Sequence, residues 1–207
     1  MRYLILILML SATACAQKRN PETSPLVGGG CDGCDLIYEG MPPTINEVDT
    51  SAGWAMAGKK MLVHGVVYKP GGKGPAEGII VYYHQTNNEG HYAVAEGQQF
   101  GRRHGQLRGW TKSNNKGEYE IYTIKPAPYP ERNAPAHIHI TVKEPNLNEY
   151  YIDDIKFDDD PLLIPDQRNK LENRGGSGLV SIHKTNGLLE VKRDIILGKN
   201  IPNYPKL

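Results

Sequence analysis

Cysteine, net charge and long apolar runs are all scarce in this sequence. Its three cysteines include one close pair, Cys31-Asp32-Gly33-Cys34, with no second pair to complete a zinc ribbon and no βαβ pattern to make a thioredoxin-type redox motif. A formal net charge of +1 over 207 residues gives no global attraction to nucleic acid, and no nucleic-acid partner is expected. Arg102, Arg103, His104 and Arg108 do cluster, as a solvated or pocket-rim loop would. The apolar run Leu4–Leu10 is too short to cross a bilayer as a helix. Helical periodicity is almost absent elsewhere.

The same short run fits the apolar region of an export signal, following Arg2 and preceding Ser11-Ala12-Thr13-Ala14-Cys15. Small residues ending in cysteine resemble a bacterial lipoprotein signal, so residues 1–14 are expected to be removed and Cys15 lipidated. Residues 15–30, rich in glycine and with two prolines, then form a flexible tether. The protein is expected outside the cytoplasm, anchored to a membrane through lipid and facing the periplasm or cell surface. With Cys15 lipidated, Cys31 and Cys34 remain as an even pair in an oxidising compartment, where a local disulfide is expected. Residues 31–59 read as an irregular lead-in to a domain over 60–207.

What is abundant is turn chemistry: 23 glycines and 15 prolines punctuate short runs of β-branched and aromatic residues. Met61–Tyr68 and Gly78–His84 flank a glycine-rich loop that reads as a hairpin connection, since it lacks the GK[ST] ending of a phosphate-binding loop. Glu118–Ile124, Ala136–Val142 and Tyr150–Phe157 supply further strands, and Pro165–Asn173 a short helix. Leu179–Lys184 and Leu188–Leu197 form a hairpin about Asn186-Gly187. The expectation is an all-β sandwich of short strands with long loops and little helix.

Chemistry concentrates in Pro135-Ala136-His137-Ile138-His139-Ile140. On a strand His137 and His139 share one face while Ile138 and Ile140 face a core. Paired imidazoles suit zinc, copper, iron or nickel, or are simply hydrogen-bonded histidines on a half-exposed strand. Tyrosines, not carboxylates, lie nearest: Tyr129 in the proline-stiffened loop Lys125–Pro130, and Tyr92 after the turn Glu89-Gly90-His91. A phenol, with an ordinary pKa near ~10, ligates only as phenolate and needs a hard, highly charged cation such as iron(III). Taken singly, each tyrosine reads first as a core or surface aromatic, and the case for a ligand lies in the ensemble.

Together these residues resemble the intradiol ring-cleavage dioxygenases, non-haem iron(III) enzymes that open catechols between their hydroxyls. The matching segments run from Val63-His64-Gly65 through Gly78–His84, Glu89–Tyr92, Leu107–Thr111 and Asn115–Tyr119 to Tyr129 and Pro135–His139. The resemblance implies iron(III) held by Tyr92, Tyr129, His137 and His139, with an aromatic diol and O2 as substrates. It further implies that Tyr129 leaves the metal when the diol binds, and that both oxygen atoms end in a ring-opened diacid. Three departures stand out. Where members acting on catechol itself commonly begin with a helical dimerisation region, a leader, a tether and the cysteine pair are expected here; Ala134 stands where an arginine is usual, and Asp154 stands for a glutamine. Arg132, two residues earlier on an extended chain and so roughly 6–7 Å away, is the expected replacement for the arginine. Arg108 and Trp110 are further expected pocket residues. Two alternatives compete: a cupin-like site using Glu144 with the histidine pair, and a non-catalytic surface-anchored binding module.

Overall fold

The computed structural model describes residues 25–206. Cys15 and the leader expected over 1–14 lie outside the described residues, as does most of the tether.

The described residues open with a strap that contains a 3-10 turn at Cys34–Tyr38, closed at its start by a Cys31–Cys34 disulfide. Strands β1 (Val48–Thr50), β2 (Lys60–Tyr68), β3 (Ile80–Gln85), β4 (Arg108–Lys112) and β5 (Glu118–Ile124) follow. Then come β6 (His137–Lys143), β7 (Tyr150–Phe157), the single-turn helix α1 (Pro165–Asn169), β8 (Leu179–Val180), β9 (His183–Thr185), β10 (Leu188–Lys192) and β11 (Ile195–Ile196). They make two sheets: β1-β5-β2-β10-β9, with β11 also on β2, and β4-β3-β6-β7-β8. The fold is the all-β sandwich that the turn spacing implies.

Period-two patterning explains how the sheets close on each other. Met61, Val63 and Val67 of β2 and Tyr119 and Ile121 of β5 are buried facing Val81 and Tyr83 of β3 and Ile138, Ile140 and Val142 of β6. Each such side chain contributes on the order of 2 kcal/mol through removal from water. The alternate residues of the second sheet (Tyr82, His84, His137, His139) therefore lie on its outer face. There the strap and two long loops cover them.

Several connections differ from expectation. The loop after β2 is not a hairpin but a crossover between sheets. Both edges of β2 are already paired, with β5 on one side and β10 and β11 on the other, so β3 has no place beside it. The expected strand Leu179–Lys184 likewise splits, its first half pairing with β7 and its second with β10. The turn at Asn186-Gly187 is as expected: both residues have positive φ (50° and 86°) and Thr185 pairs with Leu188. The last strand breaks after Lys192, where buried Arg193 donates to the carbonyls of Arg174, Gly175 and Gly176. Residues 35–58 are more ordered than their sequence implies, since β1 runs parallel to β5. The strap is thus part of the folded unit.

Candidate metal centre and its cavity

One row of side chains crosses the outer face of the second sheet. Arg108 on β4, His84 on β3 and His139 on β6 are direct cross-strand partners. Beyond β6 the register with β7 slips, from Ile138 opposite Ile155 to Ile140 opposite Ile152. Two β7 residues, Asp153 and Asp154, thus stand against His139, and this bulge aims the Asp154 carboxylate at the imidazole. Asp154 Oδ1 lies 2.9 Å from His139 Nδ1.

The tyrosines arrive on loops that are laced together. Asn87 Oδ1 accepts from the amides of Glu89 and His91 at 2.9 and 3.0 Å, which folds the turn before Tyr92. The Ala127 amide donates to the Asn87 carbonyl at 3.0 Å, and Thr86 Oγ1 donates to the Ala127 carbonyl at 2.7 Å. These bonds hold the Tyr92 turn against the proline-rich Tyr129 loop.

Four donors from three separate segments converge as a result. Tyr92 Oη is 2.9 Å from Tyr129 Oη, which is 3.3 Å from His137 Nε2 and 3.5 Å from His139 Nε2. The two Nε2 atoms are 3.1 Å apart. Their protonation follows from the opposite ring edges. His137 Nδ1 is 2.7 Å from the Pro135 carbonyl, which only accepts, so Nδ1 carries the proton. The Asp154 carboxylate, 2.9 Å from His139 Nδ1, has no proton to give and only accepts. His139 Nδ1 therefore also donates. Two Nε2 lone pairs are left facing each other, and the single Tyr129 proton cannot satisfy both.

Such a contact is repulsive without a cation between the donors, so the residues fit a metal ion. Burial, and then the bond to Tyr129, push the Tyr92 phenol well above its ordinary pKa, so only a strongly charged cation will ionise it. Ferric iron meets that condition. Asp154 lies near both histidines, with ligand atoms of the three residues within 4.8 Å of one another. Its carboxylate nevertheless meets the far edge of His139, where it orients the ring instead of joining the Nε2 cluster.

Beside the cluster is an open cavity of about 450 Å³. Tyr92, Tyr129, His139, His84, His104 and the Cys31–Cys34 turn line it, with Gly33 of that turn packed against the His104 ring. His84 stacks on His104 (centroids 3.5 Å apart, planes 2° from parallel) and on His139 (4.5 Å, 22°). Burial, followed by the charges of the neighbouring imidazoles, holds His84 well below the usual histidine pKa.

Arg108 and Arg132 are both placed outside this cavity. Arg108 donates to the carbonyls of Leu36 and Glu39 and to Tyr82 Oη, pinning the strap. Trp110 does the same through Nε1 to the Ile37 carbonyl at 2.7 Å. Arg132 lies over the Tyr129 ring, 5.5 Å from its centroid, and lines a separate hollow with Tyr92 and Tyr129. It does not stand in for the missing arginine within the cavity. Glu144 accepts from Tyr150 and Tyr204 at 2.6 and 2.9 Å and takes no part in the cluster, which removes the cupin-like arrangement. His84 carries no sequence signal of its own, because cross-strand registry with His139 is invisible in one chain. His104 stood only as one member of a basic cluster.

A dioxygenase family model (Dioxygenase_C) matches residues 38–181. The dioxygenase domain of a dioxygenase–carbohydrate-binding fusion from Streptomyces sp. SirexAA-E is similar at 20% identity and TM-score 0.55, over 76% of this chain and 91% of that one. Hydroxyquinol 1,2-dioxygenase from Pseudomonas putida DLL-E4 is similar at 22% identity and TM-score 0.56, over 75% of this chain. Catechol 1,2-dioxygenase from Pseudomonas arvilla C-1 is similar at 18% identity and TM-score 0.58, over 83% of it. This chain spans 61% and 60% of the length of those two enzymes. At such identities the structures share the fold, and the family model carries the assignment: the chain belongs to the intradiol ring-cleavage dioxygenase family.

Proposed function

We propose that this protein is a non-haem iron(III) intradiol dioxygenase, with Tyr92, Tyr129, His137 and His139 as metal ligands and a catechol-type diol and O2 as substrates. The observation that carries the proposal is the convergence of two phenol oxygens and two proton-free imidazole nitrogens within 2.9–3.5 Å. When bound, iron(III) supplies the Lewis acid and redox centre for diol and dioxygen.

The chain's own residues prepare that chemistry. Asp154 and the Pro135 carbonyl fix the protons on Nδ1, so both Nε2 atoms present lone pairs without reorganisation. Tyr129 Oη, beside both Nε2 atoms and on the cavity wall, is placed to take a proton from an entering diol. The strap and the histidine wall bound the space in which the ring must lie, which supplies orientation.

Aerobic incubation with a panel of catechols, with metal analysis of the same sample, tests this. The expected result is near-stoichiometric iron and a product heavier than the substrate by two oxygen atoms, both labelled when ¹⁸O2 is supplied. Iron-free protein that stays colourless after ferrous loading and exposure to air defeats it.

Export as a lipoprotein is part of the same proposal. It is supported by the leader-like N-terminus and by a disulfide of the kind that persists in oxidising compartments. Fatty-acid labelling that is lost in Cys15→Ser is the expected result; an unlabelled parent protein overturns it.

A further inference from the structure

We infer that His84 is a substrate-binding residue, donating its Nε2 proton to an oxygen of the bound diol; this rests on the function proposed above. His84 Nδ1 is buried and has no hydrogen-bond partner. The ring lines the cavity, and with the Nδ1 edge buried it is the other edge, bearing Nε2, that is left to face the open space. An orphaned buried lone pair costs less than an orphaned buried N–H, which places the proton on Nε2 and turns a donor towards the cavity.

The ring is held there from both sides. Arg108 Nη1 donates to Tyr82 Oη at 3.3 Å, so the Tyr82 proton goes to His104 Nδ1, 2.8 Å away. That bond fixes the His104 ring, which covers one face of His84, and His139 lies against the other. The donor edge therefore opens beside the Nε2 cluster where the diol oxygens would bind. Arg132 and Arg108 lie outside the cavity, and Arg103, which does line it, is already paired with Asp32. The chemical class that fits is an oxygen bearing partial negative charge, as on a diol losing its protons.

The test is an oxygen-free titration of iron-loaded wild type, His84→Phe and His84→Gln with catechol, followed in the visible. His84→Phe keeps the stacked ring and removes the donor; His84→Gln restores a donor without the ring. The expected result is unchanged iron content and an unchanged ligand-free spectrum in His84→Phe, with Kd for catechol raised about tenfold or more. His84→Gln should recover most of that loss.

A Kd within twofold of wild type in His84→Phe overturns the inference, and so does a His84→Gln variant no better than His84→Phe. Loss of iron from His84→Phe also overturns it, because the imidazole nitrogens would then serve the metal centre and not the diol. A wild type with iron but no spectral response to catechol defeats the proposed function itself. Should His84→Phe not fold, the gallium(III)-loaded wild type serves. Its His84 Nε2 proton resonance should move downfield on adding catechol, and a stationary resonance overturns the inference.

Discussion

Tyr92 and Tyr129, separated by 37 positions in the chain, bring their phenol oxygens to 2.9 Å. Two neutral phenols can share one proton at that distance, but two phenolates repel unless a cation neutralises them. The pair is therefore built for a charged partner.

Tyr92→Phe and Tyr129→Phe each remove one anionic donor while keeping the ring, so folding should survive. Each should lower iron(III) affinity and alter the reddish-brown phenolate absorption. His137→Ala or His139→Ala should lose most of the iron. Tyr119→Phe is the control: its hydroxyl donates to the buried Arg193 carbonyl at 2.7 Å, remote from the cluster. That variant should cost about 1–3 kcal/mol of stability with its spectrum intact. Full colour in Tyr129→Phe would remove Tyr129 from the ligand set.

Asp154 fixes the His139 tautomer, so its removal should be felt at a metal it does not touch. Asp154→Ala should weaken iron binding about 10–100-fold, the usual effect of losing a partner behind a ligand. Asp154→Asn should lose less, since its amide oxygen still accepts from Nδ1. Chelator competition measures both. Equal affinities in Asp154→Ala and wild type would make the bulge a feature of the sheet alone.

The histidine pair, both tyrosines and the sandwich were legible because each has a local signature: period two on β6, proline-stiffened loops, and Asn186-Gly187. The pairing of strands was not. The hairpin expected after β2 fails because β10, far along the chain, occupies the edge that β3 would need. Arg108 and Arg132 were legible as cations near the site but not in their direction. One points into the strap and the other lies on the outer side of Tyr129. His84 and the wall formed by the disulfide turn depend wholly on tertiary placement.

Gly90 joins the two tyrosine loops by close approach. Its φ is +84°, and a Cβ there would sit 2.1 Å from the Pro128 carbonyl oxygen. Backbone on one side cannot yield without moving Tyr129. Gly90→Ala should therefore lower both the melting temperature and iron content, although it touches no ligand. Gly97→Ala has a similar φ of +74° with open space around it, and should cost only about 1–2 kcal/mol. Equal iron content in the two variants would uncouple the loops from the site.

Arg108 acts on the strap. Arg108→Met keeps the packing over Trp110 and loses the bonds to Leu36, Glu39 and Tyr82. Limited proteolysis should then cut within residues 31–41 faster than in wild type, with iron retained. Replacing both Cys31 and Cys34 by serine should act in the same direction and lower stability by about 2 kcal/mol, the value for so short a loop. A strap cut no faster in Arg108→Met would assign its docking to Trp110 instead.

His104 gives the fold a specific pH dependence. Burial, reinforced by the charges of His139, Arg108 and Arg103 and opposed by Asp35, lowers its pKa from 6.5 to about 4. Between those values the unfolded chain takes up a proton that the folded protein refuses. Stability therefore rises with pH across that window and falls as acid is added from 6.5 towards 4; above 6.5 the group contributes no slope. One proton accounts for at most about 1.4 kcal/mol per pH unit. His104→Gln removes the titration, so denaturant unfolding of the metal-free protein should show a shallower loss of stability between pH 6.5 and 4. The variant also loses the Tyr82 hydrogen bond, which shifts the whole curve downward without changing that slope. Parallel wild-type and variant curves would mean that His104 accepts its proton in the folded state, and that the imidazole stack tolerates charge.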